Sequence, residues 1–164
     1  MNQKSTNRID AVIAEAVKRL DAASESPRLD AEVLLARTID MPRSYLFAHP
    51  EDELDDVTLE RFEALLSRRA GGEPMAYIMG TREFWSRELV VSPATLVPRP
   101  ETELLVELAL REIPRKADWR ILDLGTGSGA IAIAIACERL MCDIVATDVS
   151  AEALAIAAVN ALSL

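Results

Sequence analysis

The run Arg120-Ile121-Leu122-Asp123-Leu124-Gly125-Thr126-Gly127-Ser128-Gly129-Ala130 constrains the fold more than any other stretch of the chain. A short apolar segment breaks into three alternate glycines, and an alanine- and isoleucine-rich segment follows. Glycine takes positive φ without steric cost and lets the backbone come close to a ligand. A helix opening directly after such a turn aims its unpaired N–H groups and its positive dipole end at whatever the turn holds. The run predicts a buried strand, a nucleotide cradle and a helix.

The loop fits two patterns. Gly125, Gly127 and Ala130 satisfy the Gly-x-Gly-x-x-Gly/Ala dinucleotide fingerprint. Asp123, Gly125, Gly127 and Gly129 satisfy the Asp-x-Gly-x-Gly-x-Gly loop of S-adenosylmethionine-dependent methyltransferases. The acid two residues before the first glycine favours the second pattern, because a carboxylate there can take up the cationic amino-acid end of that cofactor. Asp143-Ile144-Val145-Ala146-Thr147-Asp148 reads as a second strand that ends on an acid, roughly 20 residues after the loop. An acid in that place can accept both hydroxyls of a ribose.

With 164 residues, half of them hydrophobic, the chain has material for one ordinary domain, or for a small domain and part of another. A formal charge of −9 argues against a nucleic-acid partner, since phosphate binding needs clustered Lys and Arg. Cys137 and Cys142 have no metal-ligand pattern around them and read as reduced thiols. Residues 1–8 are polar, and the longest small-apolar run, Ala130 to Cys137, is too short to span a bilayer. The expectation is a cytoplasmic protein without a signal peptide, a membrane span or a metal site.

Before the glycine loop the texture is helical. Ile9, Val12, Ile13, Ala16, Val17 and Leu20 recur at helical spacing from about Thr6 to Ala22. Ser26-Pro27 supplies a cap and a first-turn proline for a second helix carrying Leu29, Val33, Ala36 and Ile39, which Met41-Pro42 ends. A short helix over Ser44 to Ala48 and an acidic approach, Glu51 to Asp56, lead to a helix with Leu59, Phe62, Leu66 and Ala70 on one face and Gly71-Gly72 at its end. His49 has no partner cluster and reads as a loop or helix-end residue.

From Glu73 to Pro100 the pattern changes. Tyr77-Ile78-Met79-Gly80, then Glu83-Phe84-Trp85 and Leu89-Val90-Val91 around the polar Ser86-Arg87, predict a β-hairpin. Glu101-Thr102-Glu103 opens a helix whose apolar side is Leu104, Leu105, Leu108 and Ala109. Ala130-Ile-Ala-Ile-Ala-Ile-Ala136 alternates with the period of a strand, but the loop before it demands a helix, and one buried on several sides can be apolar all round. A last helix runs from about Ala151 to Leu162 with Ser150 as its cap.

Leu96-Val97-Pro98-Arg99-Pro100-Glu101-Thr102-Glu103, followed by the Asp123–Gly129 loop, closely resembles the HemK/PrmC family of protein-glutamine methyltransferases that modify peptide chain release factors. The likeness extends over nearly the whole chain, including Arg68 to Gly80 and Arg82-Glu83-Phe84-Trp85. It implies an α/β fold: an N-terminal α-helical bundle (1–72) for substrate recognition, a β-hairpin linker (73–99), and the first, cofactor-binding part of a Rossmann-like S-adenosylmethionine-dependent methyltransferase domain (100–164). It further implies S-adenosyl-L-methionine as cofactor, Gly125, Thr126, Gly127, Ser128 and Gly129 around its methionine moiety, Asp148 on its ribose, and the glutamine of the release-factor Gly-Gly-Gln motif as substrate. The family's Asn-Pro-Pro-Tyr motif, which orients the substrate amide, is absent, and residues 120–164 supply only two βα units. The chain is therefore expected to be a truncated piece, inactive by itself, with no catalytic residue among its carboxylates. Two rival readings are a nicotinamide-dependent oxidoreductase, which leaves the Pro-Arg-Pro-Glu-Thr-Glu run unexplained, and a non-catalytic protein-interaction module. A DNA adenine methyltransferase is disfavoured by the acidic charge.

Overall fold

The computed structural model describes residues 7–163. Its contacts divide the chain into two units, one ending at Ile78 and one beginning at Met79.

The first unit is helical: α1 (Ile9–Leu20), α2 (Pro27–Ile39), α3 (Arg43–Ala48), α4 (Asp56–Ala70) and α5 (Met75–Met79), whose last residue crosses the division. Ile9, Ile13, Ala16 and Leu20 lie on one stripe of α1 and are buried with Leu34 and Leu35 of α2 and Phe62 and Leu66 of α4. α1 starts later than the periodicity predicts, because Ile9 and Asp10 donate their N–H groups to the carbonyls of Asp52 and Pro50; Thr6 lies outside the described residues. On α2 the buried face is Ala31, Leu34, Leu35 and Ala36; of the expected stripe only Ala36 is buried, Val33 and Ile39 are half-buried and Leu29 is exposed.

The Ser26 cap is a correction. Its hydroxyl caps nothing. Ser24 instead accepts the Ser26 N–H and donates to Asp30, whose carboxylate also receives Arg69 Nε at 2.7 Å. α2 ends at Ile39, two residues before Met41, and its C-cap Asp40 lies in the left-handed region, φ 54°. α4 begins as its acidic approach suggests: Asp55 accepts the Thr58 N–H at 2.7 Å. Glu32 is buried on α2, and burial pushes its carboxyl up. Hydrogen bonds from Arg43 at 2.6 Å and Arg28 at 2.9 Å outweigh that and hold it below the usual carboxylate range.

The second unit contains a hairpin, β1 (Thr81–Phe84) with β2 (Arg87–Val90), then a 3₁₀ turn (Pro100–Thr102) running into α6 (Glu103–Glu112). Next come β3 (Arg120–Leu124), α7 (Ala130–Glu138), β4 (Asp143–Thr147) and α8 (Ala151–Ser163). The hairpin is shorter than predicted at its first strand. Tyr77 and Ile78 donate their N–H groups to Pro74 and form a helical turn, and the chain leaves it through Gly80 at φ 79°. The tip is Trp85-Ser86, one residue earlier than expected, with φ 53° and 56°, the backbone of a type I′ turn. Glu103 accepts the Trp85 N–H at 2.9 Å and Glu138 that of its indole at 3.3 Å.

β3 and β4 pair in parallel, Arg120 opposite Asp143 through Leu124 opposite Thr147. α7 is a helix despite its alternating sequence, because Ala130, Ala132, Ile133, Ala134 and Ile135 are all buried. Ile133 and Ile135 form a core with Phe84, Leu89, Val106 and Ile113. Here α6 departs from expectation: Val106 is fully buried, whereas Leu104, Leu105 and Leu108 are exposed. Arg139, buried after α7, donates to the carbonyls of Ile113, Leu110 and Glu138. Ile121 and Ile144 pack on the core, while Leu122, Leu124 and Val145, on the alternate positions of the same strands, are exposed. Parallel sheets are normally covered on both faces, and this one has an apolar open face. No helix among the described residues is long and apolar enough to cross a membrane.

Candidate functional site

The site is the turn between β3 and α7 together with the end of β4. Gly125, Gly127 and Gly129 all have positive φ, at 76°, 55° and 83°. They differ in surroundings. A Cβ on Gly127 would meet nothing within 4 Å, whereas one on Gly129 would lie 3.0 Å from Ile133 Cδ1 and 3.2 Å from the Ala157 Cβ. Gly127 thus faces open space beside the loop, and Gly129 is where the loop rests on α7 and α8.

The loop is tied to both strands. The N–H groups of Gly125 and Thr126 share the Thr147 carbonyl at 2.8 and 2.9 Å, and the Thr126 hydroxyl donates to Asp123 at 2.7 Å. Thr126 and Ser128 are buried, so the loop presents backbone rather than their side chains to the outside. At the end of β4, Asp148 accepts the Gly127 N–H on Oδ2 at 2.8 Å and the Ser150 N–H on Oδ1 at 3.0 Å. Those bonds, Ser150 first and Gly127 second, hold its carboxyl below the ordinary aspartate range. Ser150 accepts the Ala153 N–H and so caps α8, as its sequence suggests.

Gly125, Thr126, Gly127, Ser128, Gly129 and Asp148 are therefore brought together at the ends of β3 and β4. An ionised carboxylate at the end of a strand can accept hydroxyl hydrogens, and a positive-φ backbone leading into a helix N-terminus favours electron-rich groups. That donor set fits a nucleoside with a free ribose diol. Asn160 of α8, which belongs to no sequence motif, is fully buried and hydrogen-bonded to Ser128 and Val90. The available signal was a lone amide in a helix otherwise rich in Ala, Leu, Ile and Val. His49 takes no part: it ends α3, with its ring 4.4 Å from that of Tyr45. No group of three or more His, Cys, Asp or Glu among the described residues has a metal-binding arrangement.

Two family models match the chain, the PrmC N-terminal domain over residues 11–80 and the Methyltransferase small domain over residues 100–163. A protein of Escherichia coli K12 named release factor glutamine methyltransferase is 51% identical over 149 residues, 91% of this chain and 53% of that protein. The chain is similar to the HemK/PrmC family over both matched domains. Other HemK/PrmC relatives carry the same name. The one from Salmonella typhimurium is 54% identical over 90% of this chain and 52% of its own length. The one from Coxiella burnetii is 50% identical over 91% of this chain and 55% of its own length. The chain thus spans about half the length of the curated relatives it matches.

Proposed function

We propose that this chain carries the cofactor site of an S-adenosylmethionine-dependent methyltransferase whose substrate is the side-chain amide of the glutamine in the Gly-Gly-Gln motif of release factors. The observation that supports this most is the bond between Gly127 and Asp148, which joins the glycine loop to the acid of the next strand at 2.8 Å. The relatives' name supports a release-factor glutamine as the substrate. In this reading residues 1–72 recognise the protein partner, 73–99 link, and 100–164 hold the cofactor; a release factor as substrate also places the protein in the cytoplasm.

When bound, the cofactor supplies a methyl group made electrophilic by a sulfonium. The residues present here bind and orient. Asp148, kept ionised, accepts from the ribose hydroxyls, and Gly125 to Gly129 line the methionine portion with backbone. An amide nitrogen is a weak nucleophile, so rate comes from alignment and hydrogen bonding rather than from a strong base. No carboxylate of this chain is assigned to proton abstraction.

Calorimetric titration with S-adenosylhomocysteine, repeated in the presence of NAD, tests the reading. Binding of S-adenosylhomocysteine that NAD does not displace is expected. Binding of NAD instead favours the oxidoreductase reading and removes this one.

A further inference from the structure

Asn160 lies on the third turn of α8, has no solvent exposure, and uses its whole amide. Its Oδ1 accepts the Val90 N–H at 2.8 Å, and its Nδ2 donates to the Val90 carbonyl at 2.9 Å and to the Ser128 carbonyl at 2.8 Å. The first two bonds imitate a neighbouring strand along β2, and the third reaches into the glycine loop. One turn earlier on the same face of α8, Ala157 is the residue against which Gly129 rests. Two adjacent loop residues, Ser128 and Gly129, are thus fixed by one helix face, and the hairpin is fixed by the same side chain.

We propose that Asn160 is a positioning residue for the cofactor site: by joining the Ser128 carbonyl to the Val90 backbone, it sets the height and tilt of the glycine loop at Gly127. This rests on the loop holding S-adenosylmethionine. A buried amide that only filled space would be replaceable by a leucine. This one satisfies three backbone groups, of which the Ser128 carbonyl is buried, and losing it leaves that carbonyl without its partner. The loop would then have to move to find another donor, and Gly127, one residue away, would move with it. Asn160 touches no ligand position itself and acts only through the loop.

The test uses the 164-residue chain with Asn160→Asp, which keeps shape and one acceptor but loses both donors. Asn160→Ser is a second variant that replaces the amide by a shorter hydroxyl. Val106→Ala serves as a control, since it opens the same unit's core on α6 and removes no hydrogen bond to the loop. Each is titrated with S-adenosylhomocysteine well below its melting temperature, and the Gly127 and Gly129 amide resonances are recorded without ligand. The proposal expects both Asn160 variants to lose roughly tenfold or more in affinity and to shift those two resonances. Val106→Ala should lower the melting temperature while changing neither. Affinity within about twofold of the unaltered chain in the Asn160 variants, or an equal loss in Val106→Ala, overturns it. If the unaltered chain binds no S-adenosylhomocysteine, the proposed function falls and the ligand-free resonances decide alone. A shift confined to the Asn160 variants then supports the loop-setting role, and unmoved resonances overturn it.

Discussion

Replacing Gly129 by alanine should cost more than replacing Gly127, and the structure sets the difference. Both glycines lie in the left-handed region, where an L side chain costs about 1–2 kcal/mol. At Gly127 that is the whole effect, because an added Cβ meets nothing within 4 Å. At Gly129 the Cβ would sit 3.0 Å from Ile133 Cδ1, 3.2 Å from Ala157 Cβ and 3.4 Å from Ala157 Cα. The tip of Ile133 can rotate only within a packed core, and Ala157 Cα is helix backbone, so α8 itself must shift. Overpacking of this kind adds about 1–3 kcal/mol, for a total of about 2–5 kcal/mol at Gly129. Urea unfolding followed by the fluorescence of Trp85 and Trp119, both in the second unit, measures it. Equal losses for the two variants, or a larger loss at Gly127, would refute the packing argument.

Asp148→Ala should leave the fold intact and weaken S-adenosylhomocysteine binding by roughly tenfold or more, the scale of hydrogen bonds to a charged group; unchanged calorimetric affinity removes Asp148 from the site. Glu32→Gln should destabilise the first unit at neutral pH. The folded-state pKa of Glu32 is depressed, so its stabilisation is present above the unfolded pKa and is lost as pH falls through the folded one. The gap to the unaltered chain should therefore close under acid conditions, and a gap independent of pH contradicts the role given to Arg43 and Arg28. The 164-residue chain, which contains no Asn-Pro-Pro-Tyr, should transfer no methyl group to a purified release factor. Turnover in a radiolabel assay would show that other residues can orient the glutamine amide.

The turn after β3 was legible because its geometry is local. Alternate glycines force a turn, an acid ends the next strand, and Ser150 caps α8, all within short sequence windows. The identity of α7 was also readable, since a helix must follow that turn whatever its hydrophobic period. What was not legible depends on tertiary partners. Leu104, Leu105 and Leu108 look like a core face, yet α6 buries Val106 instead, and nothing within its ten residues distinguishes the two. Trp85 is a poor choice for a positive-φ turn position, and it is held there by Glu103 and Glu138, far away in sequence. Asn160 takes its meaning from Val90 and Ser128, which no sequence window joins to it.

The most direct test of the cradle is the amide spectrum of the isotope-labelled chain during titration with S-adenosylhomocysteine. Saturable shifts are expected at Gly125, Gly127 and Gly129 and around Asp148, largest at Gly127, whose N–H already bonds to that carboxylate. Saturable shifts centred elsewhere, with the loop and Asp148 unmoved, would contradict it.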